Sequence, residues 1–194
     1  MSVAAVLLAA GGARRFEGAT HKLLAPFRGR PLISWSVESA LGAGLDDLVV
    51  VGGAFPLDDV VPSGATLVLN DRWRLGIASS LSVGIDRCRS RGHDAVVVGL
   101  ADQPLVPSSA WRAVALGDHS PVVVATYGGE RRNPVRLHRS IWAMLPTSGD
   151  EGARALIREH PDLVAEVACD GDPTDVDTVE DLADGERGAD RTAP

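Results

Sequence analysis

Short, almost unbroken apolar runs alternate along this chain with longer stretches in which apolar residues recur at helical spacing. The first run, Val3 to Ala10, contains no polar position and reads as a strand covered on both faces. Pro31 stands where a helix can begin, and Leu32 to Leu41 keeps a helical apolar spacing until Gly42 and Gly44 stop it. Leu48-Val49-Val50-Val51 is a second buried strand, closed by Gly52-Gly53, and Thr66 to Leu69 is a third. Gly76 to Cys88 predicts an amphipathic helix with Ile77, Leu81 and Ile85 on one face. Ala95 to Leu100 is another core strand, Ser108 caps a helix to about Leu116, and Val122 to Thr126 is a further strand.

The second half is less regular. Arg132 to Leu137 is extended, with Asn133-Pro134 excluding helix there. Ser148-Gly149-Asp150 precedes a helix from Glu151 to about Glu159, Leu163 to Val167 is a late strand, and Asp175 to Leu182 ends the folded part. The prediction is one α/β domain over residues 1–182, a mostly parallel sheet with helices on both faces, and a frayed tail over 183–194. Ligands of such sheets lie beyond the carboxyl ends of the strands, and Gly11, Gly53 and Asp102 all fall just past strand ends.

Composition narrows the function. A net charge of −7 on 194 residues argues against general nucleic-acid binding. No apolar run approaches the ~20 residues of a membrane span, and the N-terminus lacks a signal-peptide layout. Cys88 and Cys169 lack metal-ligand spacing; they could form a single disulfide, but reduced thiols in a cytoplasmic protein are the expectation. His21, His93, His119, His138 and His160 are scattered and show no zinc spacing.

The chemistry gathers at the strand ends. After the first strand come Gly11-Gly12-Ala13-Arg14-Arg15 and then Lys22. Small residues open backbone N–H groups to phosphate, and the cations neutralise it. Asp102, following Val96 to Leu100, either caps the next turn or holds Mg²⁺, an ion bound by one or two carboxylates plus substrate phosphates. Trp73 either packs or lines a base pocket, while Trp35, Trp111 and Trp142 fit core helices.

Leu8-Ala9-Ala10-Gly11 through Arg15, Lys22-Leu23-Leu24 and Pro31-Leu32 resemble the signature of MobA-like nucleotidyltransferases, in particular the molybdenum cofactor cytidylyltransferases. Asn70 with Gly76 and Ser80-Leu81, Leu100 to Pro104, Asn133-Pro134, Gly149 to Arg154, and Asp175 to Leu182 follow in register. The resemblance implies a Rossmann-like nucleotidyltransferase fold. It implies attack by the terminal phosphate of molybdopterin cofactor on the α-phosphate of CTP, with Mg²⁺ as cofactor. It gives Arg15, Lys22 and Asp102 to catalysis, with Arg15 aligning better than Arg14. Leu8, Ala9, Ala10, Gly11, Gly12, Asn70 and Ser80 would join Arg15 and Lys22 in holding the nucleotide. Asn133, Pro134, Asp150 and Arg154 would contact the acceptor, and a molybdenum hydroxylase would receive the product. The second metal ligand falls in Asp175-Val176-Asp177, with Asp177 preferred; both acids could instead cap the last helix.

Ala10, where guanylyltransferases of the group tend to carry glycine, goes with CTP over GTP. Two departures stand out: Ala13 replaces the usual Ser, and Glu17 takes a position where glycine is expected. Guanylyl or other nucleotidyl transfer to a related phosphate, and a non-catalytic carrier of nucleotide or cofactor, stand as alternatives.

Overall fold

The computed structural model describes residues 1–13, 15–18 and 20–190, the last six by backbone alone. Its centre is β1 (Val3–Leu8), in which every residue is buried. Pairing parallel to β1 are β4 (Asp47–Gly52) on one side and β6 (Ala95–Leu100) on the other. β5 (Thr66–Leu69) continues the sheet outward from β4 in the same sense. Beyond β6 lies β8 (Glu130–His138), antiparallel to both its neighbours, then β7 (Val122–Tyr127) and β9 (Val164–Ala168), parallel to each other. The order β5-β4-β1-β6-β8-β7-β9 is thus mostly parallel, as the apolar runs require. A two-residue hairpin, β2 (Pro26–Phe27) with β3 (Arg30–Pro31), lies outside the sheet.

The strict alternation of a strand divides the core in two. Ala5, Leu7 and Ala9 face α1 (Leu32–Gly42) and α3 (Ser108–Leu116), whereas Ala4, Val6 and Leu8 face α2 (Ile77–Ser90) and α4 (Arg154–Glu159). Trp111 and Trp142, expected in the core, are both buried, and Trp35 is half-buried, donating its indole N–H to the Phe27 carbonyl. Both cysteines are free, and burial pushes the Cys88 thiol up to about 12.

Two boundaries differ most from the sequence reading. The helix expected from Glu151 begins at Arg154, because Gly152 takes a left-handed φ of 55° that a helix cannot contain. α5 (Val179–Asp190) runs past Leu182 into the segment expected as a tail. Its start is fixed by a reciprocal cap: Asp181 accepts the Thr178 N–H at 2.8 Å, and the Asp181 N–H reaches the Thr178 hydroxyl at 3.1 Å. Residues 191–194 lie outside the described residues.

Gly84 sets the distance between α2 and the sheet. A β-carbon there would stand 2.6 Å from Val6 Cγ1 and 3.1 Å from Val51 Cγ2. Alanine is the better helix former by about 1 kcal/mol, but overpacking a fixed core costs about 1–3 kcal/mol. Gly84→Ala is therefore expected to lower the urea midpoint, and Gly84→Val to lower it further. A higher midpoint for the alanine variant would show that the interface yields.

Candidate active site

The carboxyl ends of β1 and β6 open onto one cleft of about 480 Å³, lined by Leu8, Ala10, Gly11, Gly12, Arg15, Lys22, Ser80, Asp102, Asp150 and Asp177, among others. Lys22 lies in a single 3₁₀ turn, Lys22–Leu24, that turns its side chain inward rather than out from a loop. It is only 7% exposed, and its ammonium is held between two carboxylates: Asp102 Oδ2 at 2.7 Å and Asp177 Oδ1 at 3.0 Å. Arg15 closes the other side of Asp177, 2.7 Å from Oδ2.

Backbone bonds bring these distant segments together. The Val176 N–H donates to the Asp102 carbonyl, and the Gln103 side chain donates to the Pro173 carbonyl. Val176 is buried behind this seam, so its neighbour Asp177 is presented to the cleft. The cap of α5 is made by Thr178 and Asp181, which leaves the Asp177 carboxylate to the cations. Asp175 lies on the other side of the seam, in a second cavity, so the two acids do not point the same way.

The two clefted carboxylates can share one cation, as they share the Lys22 ammonium. Asp102 Oδ1 is buried and has no hydrogen-bond partner. Among the described residues no group of three or more His, Cys, Asp or Glu could hold a metal by itself. The donor set therefore suits an ion whose remaining ligands come from phosphate and water.

The other expected contacts divide between places. Ala9 faces the α1 side of the core, and Pro134 is buried within β8. Asn70 is 3% exposed beneath the cleft and donates to the Ser79 and Ser80 hydroxyls at 2.9 and 3.0 Å. It accepts the Arg72 N–H, and so shapes the turn carrying Trp73 from below. Trp73 itself lines the cleft, with its ring edge against Gly12, where a β-carbon would stand 2.9 Å away. Asp150 joins the cleft through a loop docked on the start of α2 by bonds from Gly149 to Leu75 and from Ala78 to Gly149. Asn133 and Arg154 instead line the second cavity, of about 910 Å³, together with Asp175, Arg131, Arg132 and Arg158. Arg14 lies outside the described residues. Glu17 is exposed and outside the cleft lining, so its charge does not face the site; Ala13 lines the cleft at a left-handed φ of 48°.

Comparison with known proteins identifies the family. A MobA-like NTP transferase domain matches residues 5–164, and the chain belongs to that family. It is 32% identical to nicotine blue oxidoreductase of Paenarthrobacter nicotinovorans, over 93% of this chain and 94% of the relative. It is 30% identical to the purine catabolism protein PucB of Bacillus subtilis, over 91% and 92%. Among solved structures, the Rv0371c protein of Mycobacterium tuberculosis H37Rv, crystallised with manganese, superposes with a TM-score of 0.77 at 27% identity, covering 96% of this chain and 99% of that one. A nucleotidyltransferase fold in this family, with a divalent metal present in a neighbour, agrees with the chemistry of the cleft.

Burial works to lower the Lys22 pKa, but Asp102 and then Asp177 outweigh it, and the net shift is upward from 10.5. A raised folded value makes the stabilisation full below the unfolded pKa and loses it as pH rises through the folded one. Lys22→Met removes the ammonium shared by two partly buried acids, leaving Asp102 without its ion pair and Asp177 with Arg15 alone, and is expected to cost about 1–3 kcal/mol in urea unfolding at pH 7. The gap between wild type and variant should hold to pH 9 and narrow above 10.5. A variant as stable as wild type at pH 7 would contradict this account of the ion cluster.

Proposed function

We propose that this MobA-like nucleotidyltransferase transfers CMP from CTP to the terminal phosphate of molybdopterin cofactor. The reading rests on one observation: Arg15, Lys22, Asp102 and Asp177 meet at the mouth of a glycine-lined cleft in an NTP transferase domain. An oxygen of the acceptor phosphate attacks the α-phosphorus, the bond to the bridging oxygen breaks, and pyrophosphate leaves with that electron pair. A phosphate monoester is largely ionised near pH 7, so no side chain has to remove a proton. What the protein supplies is alignment and charge.

Gly11 and Gly12 let the triphosphate approach the backbone, while Arg15 and Lys22 neutralise charge that builds on the α-phosphate and the departing pyrophosphate. Asp102 and Asp177 would hold Mg²⁺, which when bound supplies further neutralisation at the phosphates. Ser80 offers a hydroxyl to the nucleotide, placed by the buried Asn70. Asp150 faces the acceptor from the same cleft, and Asn133 with Arg154 contacts it from the arginine-rich second cavity. Residues 1–182 form the catalytic domain in this reading, the protein works in the cytoplasm, and a molybdenum hydroxylase receives the dinucleotide cofactor.

Incubation with molybdopterin cofactor, Mg²⁺ and either CTP or GTP tests the proposal, read as the dinucleotide formed. The cytidine dinucleotide is expected. A guanosine product would move the reading to guanylyl transfer, and binding without pyrophosphate release would leave a carrier. An arm following the absorbance of nicotine blue tests the oxidoreductase activity named for the Paenarthrobacter relative.

Asp102→Asn keeps the shape of the side chain and removes the charge that would hold the cation. Nucleotidyl transfer is expected to be lost with the fold intact by circular dichroism. Near wild-type pyrophosphate release at limiting Mg²⁺ would sink the metal role.

Ala10 lines the cleft, and its β-carbon lies 2.9 Å from where one on Gly53 would stand, so it marks a tight wall. Wild type should prefer CTP, and Ala10→Gly should relax that preference by about the 1–3 kcal/mol one carbon commands in a pocket. An unchanged ratio of kcat/KM for CTP and GTP would place base selection elsewhere.

A further inference from the structure

His21 precedes Lys22 and lies outside the cleft lining, yet its imidazole touches three segments that shape the cleft. Nδ1 accepts the Leu23 backbone N–H at 3.3 Å and so caps the 3₁₀ turn that carries Lys22. Nε2 lies 3.2 Å from the Gly11 carbonyl oxygen. The ring stacks on Phe55, in the segment after β4, with centroids 5.0 Å apart and planes 20° from parallel. The first bond fixes the tautomer: a ring nitrogen that accepts carries no proton, so Nε2 carries it and donates to Gly11. Burial holds the imidazole below its ordinary pKa of 6.5, opposed in part by the Gly11 carbonyl and aided by the Lys22 charge. The ring is therefore neutral near pH 7.

We infer that His21 is a positioning residue for triphosphate binding: it holds the Gly11 carbonyl outward and thereby turns the Gly12 N–H toward the cleft. The C=O and N–H of a trans peptide point to opposite sides, so fixing one aims the other. Gly11 and Gly12 both line the cleft, and a β-carbon on Gly11 would meet nothing within 4 Å. With no side chain to restrain it, this peptide can flip, and a flipped one would present a carbonyl oxygen to phosphate. His21 supplies the restraint from outside, and its second bond ties the loop to the turn bearing Lys22. The role rests on the nucleotidyl-transfer reading.

Calorimetric titration with inorganic tripolyphosphate and with CTP, alongside urea midpoints, tests it in three variants. His21→Ala is expected to weaken both ligands about three- to tenfold, the effect of losing one neutral hydrogen bond. His21→Asn keeps a short acceptor for the Leu23 N–H but does not extend to Gly11, so it should restore the midpoint and not the affinity. His21→Gln, whose amide N–H reaches further, should recover most of the affinity. In turnover the defect should fall on KM for CTP more than on kcat. Wild-type affinity in His21→Ala overturns the role, as does recovery by asparagine rather than glutamine, or affinity that merely tracks the midpoint across all three. A wild-type protein that binds neither tripolyphosphate nor CTP overturns the nucleotidyl-transfer reading, and this role with it.

Discussion

The ammonium of Lys22 joins parts of the chain that are 80 and 155 residues away from it. Two carboxylates brought to within a few ångströms of each other repel, and a buried ammonium without partners is costly to keep charged. Each side of this cluster is tolerable only because the other is present. The constraint decides where the 3₁₀ turn of Lys22 sits, how the chain leaves β6 at Asp102, and how it enters α5 after Asp177. Arg15 extends the same logic outward, since a carboxylate has two oxygens and Lys22 takes only one from Asp177. The cleft is thus a consequence of charge pairing as much as of sheet topology.

Sheet topology supplies the ground on which that pairing happens. β1, β4, β5 and β6 run in one direction, so the glycines that follow β1 and β4 and the Asp102 that follows β6 come to one edge. The antiparallel β8 interrupts this order and brings a buried arginine with it. Arg136 is 2% exposed and donates to the carbonyls of Ala115, Gly117, Asp118 and Ser120 as the chain leaves α3. Burial lowers its pKa, and the Asp118 charge partly opposes that. The guanidinium satisfies carbonyls that a helix end leaves open, much as a C-terminal capping side chain does. β8 is therefore held to α3 by polar bonds as well as by the apolar face it shares with β7.

Most elements could be read from local pattern, because apolar runs and helical spacing are local signals. β4, β5, β6 and α3 lie within one residue of where those signals place them, and β1 ends two residues early. What could not be read depends on contacts between distant segments. The extended stretch at Arg132 was visible, but its antiparallel direction depends on β6 and β7. Asn70 stands among residues of a binding signature, but its amide is spent on Ser79 and Ser80 beneath the cleft. Lys22 resembled a loop cation, yet its burial follows from acids far along the chain. His21 gave no signal at all, since a single histidine has no spacing to read. The start of α5 was the opposite case: Thr178-Val179-Glu180-Asp181 has the pattern of a capping box, and that pattern separates a capping Asp181 from an Asp177 whose carboxylate pairs with Lys22 and Arg15.

The seam between the two cavities carries one more consequence of this charge pairing. Three acids, Asp102, Asp175 and Asp177, flank it, and among the described residues the ion pairs of Lys22 and Arg15 go to Asp102 and Asp177. Asp175 is left on the far side, where burial and then the neighbouring Asp102 raise its pKa, with Gln103 partly opposing. Its Oδ1 is buried without a hydrogen-bond partner, as is Asp102 Oδ1 on the near side. Unsatisfied oxygens in a buried position cost stability unless something donates to them or a cation approaches them. Asp102 and Asp175 thus stand on opposite sides of one backbone seam, each facing its own cavity. The separation of cavities and the shared acidic seam are a single arrangement, fixed by the bond from Val176 to the Asp102 carbonyl.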